Sequence, residues 1–118
     1  DYIFYYEPGE QFVIDGQTVR VESAALDAEE LLATVYWEKE PTYTPELYAL
    51  YEDGRELFTF TWYENNMGEG CWQYGYTDDD FGWENVTEAY LSFTNYGDVA
   101  DSYYEVRVNI TDVFQNMI

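Results

Sequence analysis

Tyr103-Tyr104-Glu105-Val106-Arg107-Val108-Asn109-Ile110 alternates without a break. Tyr104, Val106, Val108 and Ile110 fall on one side, and Tyr103, Glu105, Arg107 and Asn109 on the other. Successive side chains of a strand point to opposite faces, so this period of two describes a strand with one buried face and does not fit a helix. The pattern recurs upstream. Residues 56–64 set Phe58, Phe60 and Trp62 against Thr59, Thr61 and Tyr63. Residues 72–76 group Trp72, Tyr74 and Tyr76. Residues 87–93 turn Thr87, Ala89, Leu91 and Phe93 inward against Glu88, Tyr90 and Ser92.

Asp15-Gly16 separates Phe12–Ile14 from Thr18–Val21, and Asp53-Gly54 separates Leu47–Tyr51 from Leu57–Trp62. Asp-Gly between two such runs predicts a hairpin, because a type I′ turn needs positive φ at both central residues. The acidic, Gly-bearing stretches 65–70, 77–85 and 94–102 read as longer loops. Asp27 with Glu30 three residues on, and Thr44-Pro45-Glu46, are helix-start signals that leave a helical turn open at 27–33 and at 44–50. About eight short strands, with turn signals every 8–12 residues, predict an all-β fold. The expected architecture is one antiparallel sandwich or small barrel over residues 1–118.

Composition points the same way. Of 118 residues, 47% are hydrophobic, enough for a packed core, and 21% are aromatic, which suits a pleated, half-buried surface. The charge is lopsided: 25 Asp and Glu against 4 Lys and Arg, a net −21. Phosphate binding needs clustered cations, yet Arg20, Lys39, Arg55 and Arg107 are scattered, so direct nucleic-acid binding is excluded. Acidity favours basic partners or divalent cations. No apolar run approaches the roughly 20 residues of a membrane span, so no membrane insertion is expected of this domain. The chain starts at Asp1 without Met or a signal-like segment, as expected of a processed product or a part of a larger protein.

The absence of His removes the commonest general base, the Ser-His and Cys-His pairs, and the usual zinc ligands. Cys71 is the single cysteine, so no intrachain disulfide forms, and it reads as a small core residue or lone thiol. No phosphate-binding glycine loop occurs, since Asn65-Asn66-Met67-Gly68-Glu69-Gly70 lacks the Lys and the following helix. No cofactor is expected, apart from a candidate calcium site. Asp78, Asp80 and Glu84, in the acidic loop around Gly82, cluster hard oxygen ligands without the EF-hand spacing. The plain alternative is a solvated loop. Asn85-Val86-Thr87 and Asn109-Ile110-Thr111 are glycosylation sequons only in a eukaryotic secretory setting, and both are read as chance.

The candidate ligand-binding residues are aromatic. Trp37, Trp62 and Trp72 fall in strand patterns, where core packing is expected. Trp83, between Gly82 and Glu84, is the expected exposed tryptophan. Outward Tyr63, Tyr90 and Tyr103 are expected to form a flat face for sugars or proteins, or simply to pair across strands.

The sequence runs from a Gly-turn hairpin (Val13–Val21), through Val21-Glu22-Ser23-Ala24 and Leu31–Trp37, to an Asp-Gly hairpin at Leu50–Phe58. It closes with Ala89–Phe93 and Tyr104–Ile110. This order resembles the immunoglobulin-like extracytoplasmic domains of uncharacterised membrane-anchored or lipoprotein-type proteins of Gram-positive bacteria, such as those attached to anti-sigma-like regulators. The aromatic richness exceeds what that family leads one to expect. The resemblance implies an immunoglobulin-like sandwich, an extracellular or cell-surface location, and a sensory or adhesive role with no catalytic residues. The expected function is therefore a non-catalytic binding or sensor module of a larger bacterial surface protein. Its ligand would be a protein or glycan, with basic chemistry suiting the charge. Two alternatives are a carbohydrate-binding module and an acidic inhibitor that mimics DNA.

Overall fold

The computed structural model describes residues 3–27, 29–41, 43–77, 82–95 and 104–115. Among them the chain forms ten strands: β1 (Phe4–Tyr6), β2 (Glu10–Ile14), β3 (Gln17–Leu26), β4 (Glu30–Trp37), β5 (Glu46–Tyr51), β6 (Glu56–Thr59), β7 (Tyr63–Gly68), β8 (Cys71–Thr77), β9 (Val86–Asn95) and β10 (Tyr104–Asn109). A 3-10 turn (Thr111–Phe114) follows. The all-β antiparallel expectation holds. One sheet runs β1-β3-β4-β8-β7 with β2 also on β3, and the other runs β10-β9-β5-β6. With β3 to β10 taken as strands A, B, C, C′, D, E, F and G, these orders become A-B-E-D and G-F-C-C′. That is the strand order of an immunoglobulin-type sandwich, extended by β1 and β2 on the outer edge.

Inward residues of both sheets form one core. Val19, Val21, Ala24, Leu26, Leu31, Ala33, Val35, Trp37, Tyr74 and Tyr76 meet Leu47, Ala89, Leu91, Phe93 and Val108. On β3 the inward series changes parity, from Val19 and Val21 to Ala24 and Leu26. A bulge between Val21 and Ser23 absorbs the extra residue and keeps both halves facing the core. The edge of Trp37 packs on Phe93 across the sandwich, with centroids 5.8 Å apart. Its indole N–H donates to the Tyr74 hydroxyl at 2.9 Å, and the buried Tyr76 hydroxyl donates to the Pro45 carbonyl at 2.5 Å.

The structure corrects several sequence expectations. Asp15 (φ 51°) and Gly16 (φ 74°) make the expected two-residue hairpin between β2 and β3. The Asp53-Gly54 turn differs. Gly54 N–H donates to Tyr51 O and Tyr51 N–H to Arg55 O, so three residues form the loop and only Gly54 is left-handed (φ 92°). Asp27 does accept from the N–H groups of Glu29 and Glu30, as a helix cap would, but it closes the β3–β4 turn instead. Segment 44–50 leads into β5, so among the described residues neither open helical turn is formed. Thr87, expected inward, is exposed because a bulge between β5 and β9 falls at that residue. The run 56–64 is two strands in different sheets. It yields, with the short β1, ten strands rather than about eight. Residues 65–70, expected as a loop, continue β7 to Gly68 and then turn at Glu69-Gly70, both left-handed.

Candidate functional site

The chain leaves one sheet at Thr59 and enters the other at Tyr63. Phe60, Thr61 and Trp62 make this crossing along the side where both sheets end in their β6 and β7 edges. Residues between sheets have no partner strand to cover them. Phe60 is 73% exposed, Trp62 69% and Phe58 45%. This corrects the expectation that Trp62 packs in the core; of the three strand-borne tryptophans, Trp37 is buried and Trp72 half-buried. Single exposed apolar residues are ordinary, but three large exposed rings within five residues are an uncommon concentration, and exposed apolar surface of that kind marks interaction sites.

Trp62 is held firmly for an exposed residue. Its backbone N–H donates to Gly75 O at 2.8 Å, and its ring meets the Tyr63 ring at 5.9 Å between centroids. The Tyr63 ring lies across Gly75 on the outer face, where a Cβ at position 75 would overlap it. Thus Tyr63 reaches over β8 and its hydroxyl donates to the Glu30 carboxylate on β4. Beside this bridge, Trp62, Thr77, Asp27, Glu29 and Glu30 line a recess of about 310 Å³. The Asp27 Oδ1 accepts the backbone N–H of Glu29 at 2.7 Å and of Glu30 at 2.6 Å, which fixes the acidic turn in place. Asp27 also borders a neighbouring cleft of about 340 Å³ with Ile3, Phe4, Leu26, Trp83, Glu84, Val86 and Phe114.

Tyr90 lies on the other sheet. It opposes Tyr48 of β5, which opposes Phe58 of β6, so three rings stand in one cross-strand row with centroids 6.2 Å apart at each step. The Arg107 guanidinium lies 4.7 Å from the Tyr48 ring centre and pairs with Glu105 at 2.8 Å. The hydrogen bond to Glu56 raises the Tyr48 phenol pKa, and burial raises that of Tyr90. On the same face one oxygen of Glu46 is shielded from solvent without a hydrogen-bond partner. Its carboxyl is pushed above the usual range, first by burial and then by the Glu105 charge.

The expected tyrosine face is therefore divided: Tyr63 and Tyr90 point outward as predicted, but from opposite sheets. Tyr103, Asp78 and Asp80 lie outside the described residues. Trp83 is 8% exposed, contrary to its expected exposure, with its indole N–H on Glu29 O and its ring against Phe114. Glu84 is exposed at the rim of the second cleft. Among the described residues no three Asp, Glu, Cys or His side chains are grouped to hold a metal ion.

No protein-family model, curated protein or solved structure matches the chain.

Proposed function

We propose that this domain is a non-catalytic binding or sensor module, displayed outside the cytoplasmic membrane, that captures a protein or glycan through the aromatic edge Phe58-Phe60-Trp62. The exposure of those three rings, Phe58 on β6 and Phe60 and Trp62 on the crossing to β7, is the observation that carries the reading. Rings presented by a rigid scaffold give contact area with little entropy lost on binding. The immunoglobulin-type strand order agrees with the surface-domain resemblance, and the lack of His agrees with a role without acid–base chemistry.

The test is binding of the labelled domain to an array carrying both peptides and glycans, beside the double variant Phe60→Ser/Trp62→Ser. Ligands retained by the wild type and released by the variant are expected. An array that retains nothing, or retains both proteins equally, overturns the reading. Protease shaving of intact cells should release the domain if it is displayed outside the membrane, and its protection there would remove that placement.

A further inference from the structure

We propose that the recess beside Trp62 receives the lysine or arginine side chain of a basic segment of a partner protein. This rests on the binding-module reading above and names the chemistry of its partner. Trp62 is among the residues that line the recess, and an indole attracts cations through its ring quadrupole. Asp27, Glu29 and Glu30 line the same recess. Two of these carboxylates are already oriented: Asp27 by the two backbone N–H groups it accepts, Glu30 by the Tyr63 hydroxyl. A carboxylate has about four acceptor positions, so each keeps lone pairs for a guest.

Among the described residues the chain brings no cationic side chain to this place. None of the residues lining the recess is Lys or Arg, and Arg20, Arg55 and Arg107 form ion pairs with Glu22, Asp53 and Glu105. A volume of about 310 Å³ is at the small end for ligand pockets, which suits one long side chain rather than a larger molecule. Phe60 and Phe58 continue the exposed rings from Trp62 to the edge of the second sheet. A polypeptide can follow that line, whereas a free small cation would use only the recess. The net charge of −21 draws basic partners over longer distances and makes their capture salt-dependent.

The probe is a fluorescein-labelled dodecapeptide of alternating lysine and glycine, read by anisotropy at low and moderate salt. The same peptide with every lysine acetylated is the uncharged control. The intact domain should bind the lysine peptide, lose it to acetylation, and bind several-fold more weakly at the higher salt. Trp62→Ala should weaken binding about tenfold, Trp62→Phe less, and Glu29→Gln measurably, while Val13→Ser, an exposed apolar control on β2, should change nothing. These side chains are solvent-facing, and unchanged circular dichroism and Tm confirm the fold of each variant. Binding that falls with salt but is indifferent to Trp62→Ala is diffuse charge attraction and overturns the recess. A neutral peptide or glycan that the array retains, salt-insensitively, and that Trp62→Ala releases overturns the cationic class while the binding module stands. Retention of no ligand of any class overturns both.

Discussion

The Tyr63 ring occupies the space that a side chain at Gly75 would fill, so one glycine on β8 lets a residue of β7 reach Glu30 on β4. Gly75→Ala should therefore destabilise the domain by about 1–3 kcal/mol, the usual range for overpacking a filled site. Tyr63→Ala in the same chain should restore part of the loss. Urea unfolding of the two single variants and the double variant measures the coupling, and additive losses would show that the ring and the glycine do not compete for one space.

Gly16 and Gly70 share a left-handed backbone but differ in surroundings. A Cβ at Gly16 meets nothing within 4 Å, whereas one at Gly70 falls 2.6 Å from the Trp37 carbonyl oxygen. Gly16→Ala should cost about 1 kcal/mol, the conformational penalty alone. Gly70→Ala should cost roughly 2–4 kcal/mol, because the clash is with backbone that also accepts no displacement without breaking the Trp37 N–H to Gly70 O bond. Equal midpoint shifts in urea would contradict this ordering.

Tyr74→Phe removes the acceptor of the buried Trp37 indole N–H and should cost about 1–3 kcal/mol in the same measurement. Burial holds the Tyr74 and Tyr76 phenols above the ordinary tyrosine range. The folded chain thus keeps protons that the unfolded chain releases. Their contribution to stability is whole below about pH 10 and is lost as pH rises toward the folded values. Absorbance at alkaline pH should show these two phenolates appearing together with loss of the near-ultraviolet dichroism; their appearance in a folded chain would refute the assignment.

Glu46 works in the opposite region of pH. Its raised pKa means that the protonated form suits the fold, so stability from this group is present at acid pH and lost as pH rises through the folded value. Glu46→Gln should raise Tm at pH 7, with the gain vanishing on acidification. Solvent screening of this half-buried group holds the gain to about 0.5 kcal/mol, roughly 2 °C for a domain of this size. Glu10→Gln, an exposed acid, is the reference, and a gain no larger than its own would disprove the role of burial.

The surplus of acids predicts a salt effect on the whole domain. The radius of gyration is 14.1 Å, while charges are felt over about 30 Å at 0.01 M salt and about 8 Å at 0.15 M. At low salt every carboxylate senses the others. Differential scanning fluorimetry should show Tm rising between these concentrations and then levelling. A flat profile would mean that repulsion is already offset within the fold.

The sequence made β9, β10 and β8 legible because their alternating faces are covered by another strand or by the opposite sheet: Ala89, Leu91, Phe93, Val108, Tyr74 and Tyr76 are all buried. Alternation misled where burial did not follow it. Phe58, Phe60 and Trp62 have the period of a core-facing strand, but the chain changes sheets among them, and a crossing is set by the distant pairings of β5 and β8. Thr87 was misplaced by one bulge, since a single extra residue reverses every later side chain. Trp83 shows the converse. Its acidic neighbours read as solvent, yet the indole finds Glu29 and Phe114, contacts made between residues far apart in the chain. The candidate recess was illegible for the same reason, because Asp27 and Trp62 meet only after β4, β8 and β7 have paired.

Cys71 begins β8 and Thr77, at the recess, ends it. Six steps along a strand separate them by about 20 Å, and the half-buried thiol shares with Gly75 the face that Tyr63 crosses. As the sole cysteine, it accepts a nitroxide without any prior mutation. Paramagnetic broadening from that fixed point would grade the resonances of a bound segment by distance, and so report which end of a partner runs along β8.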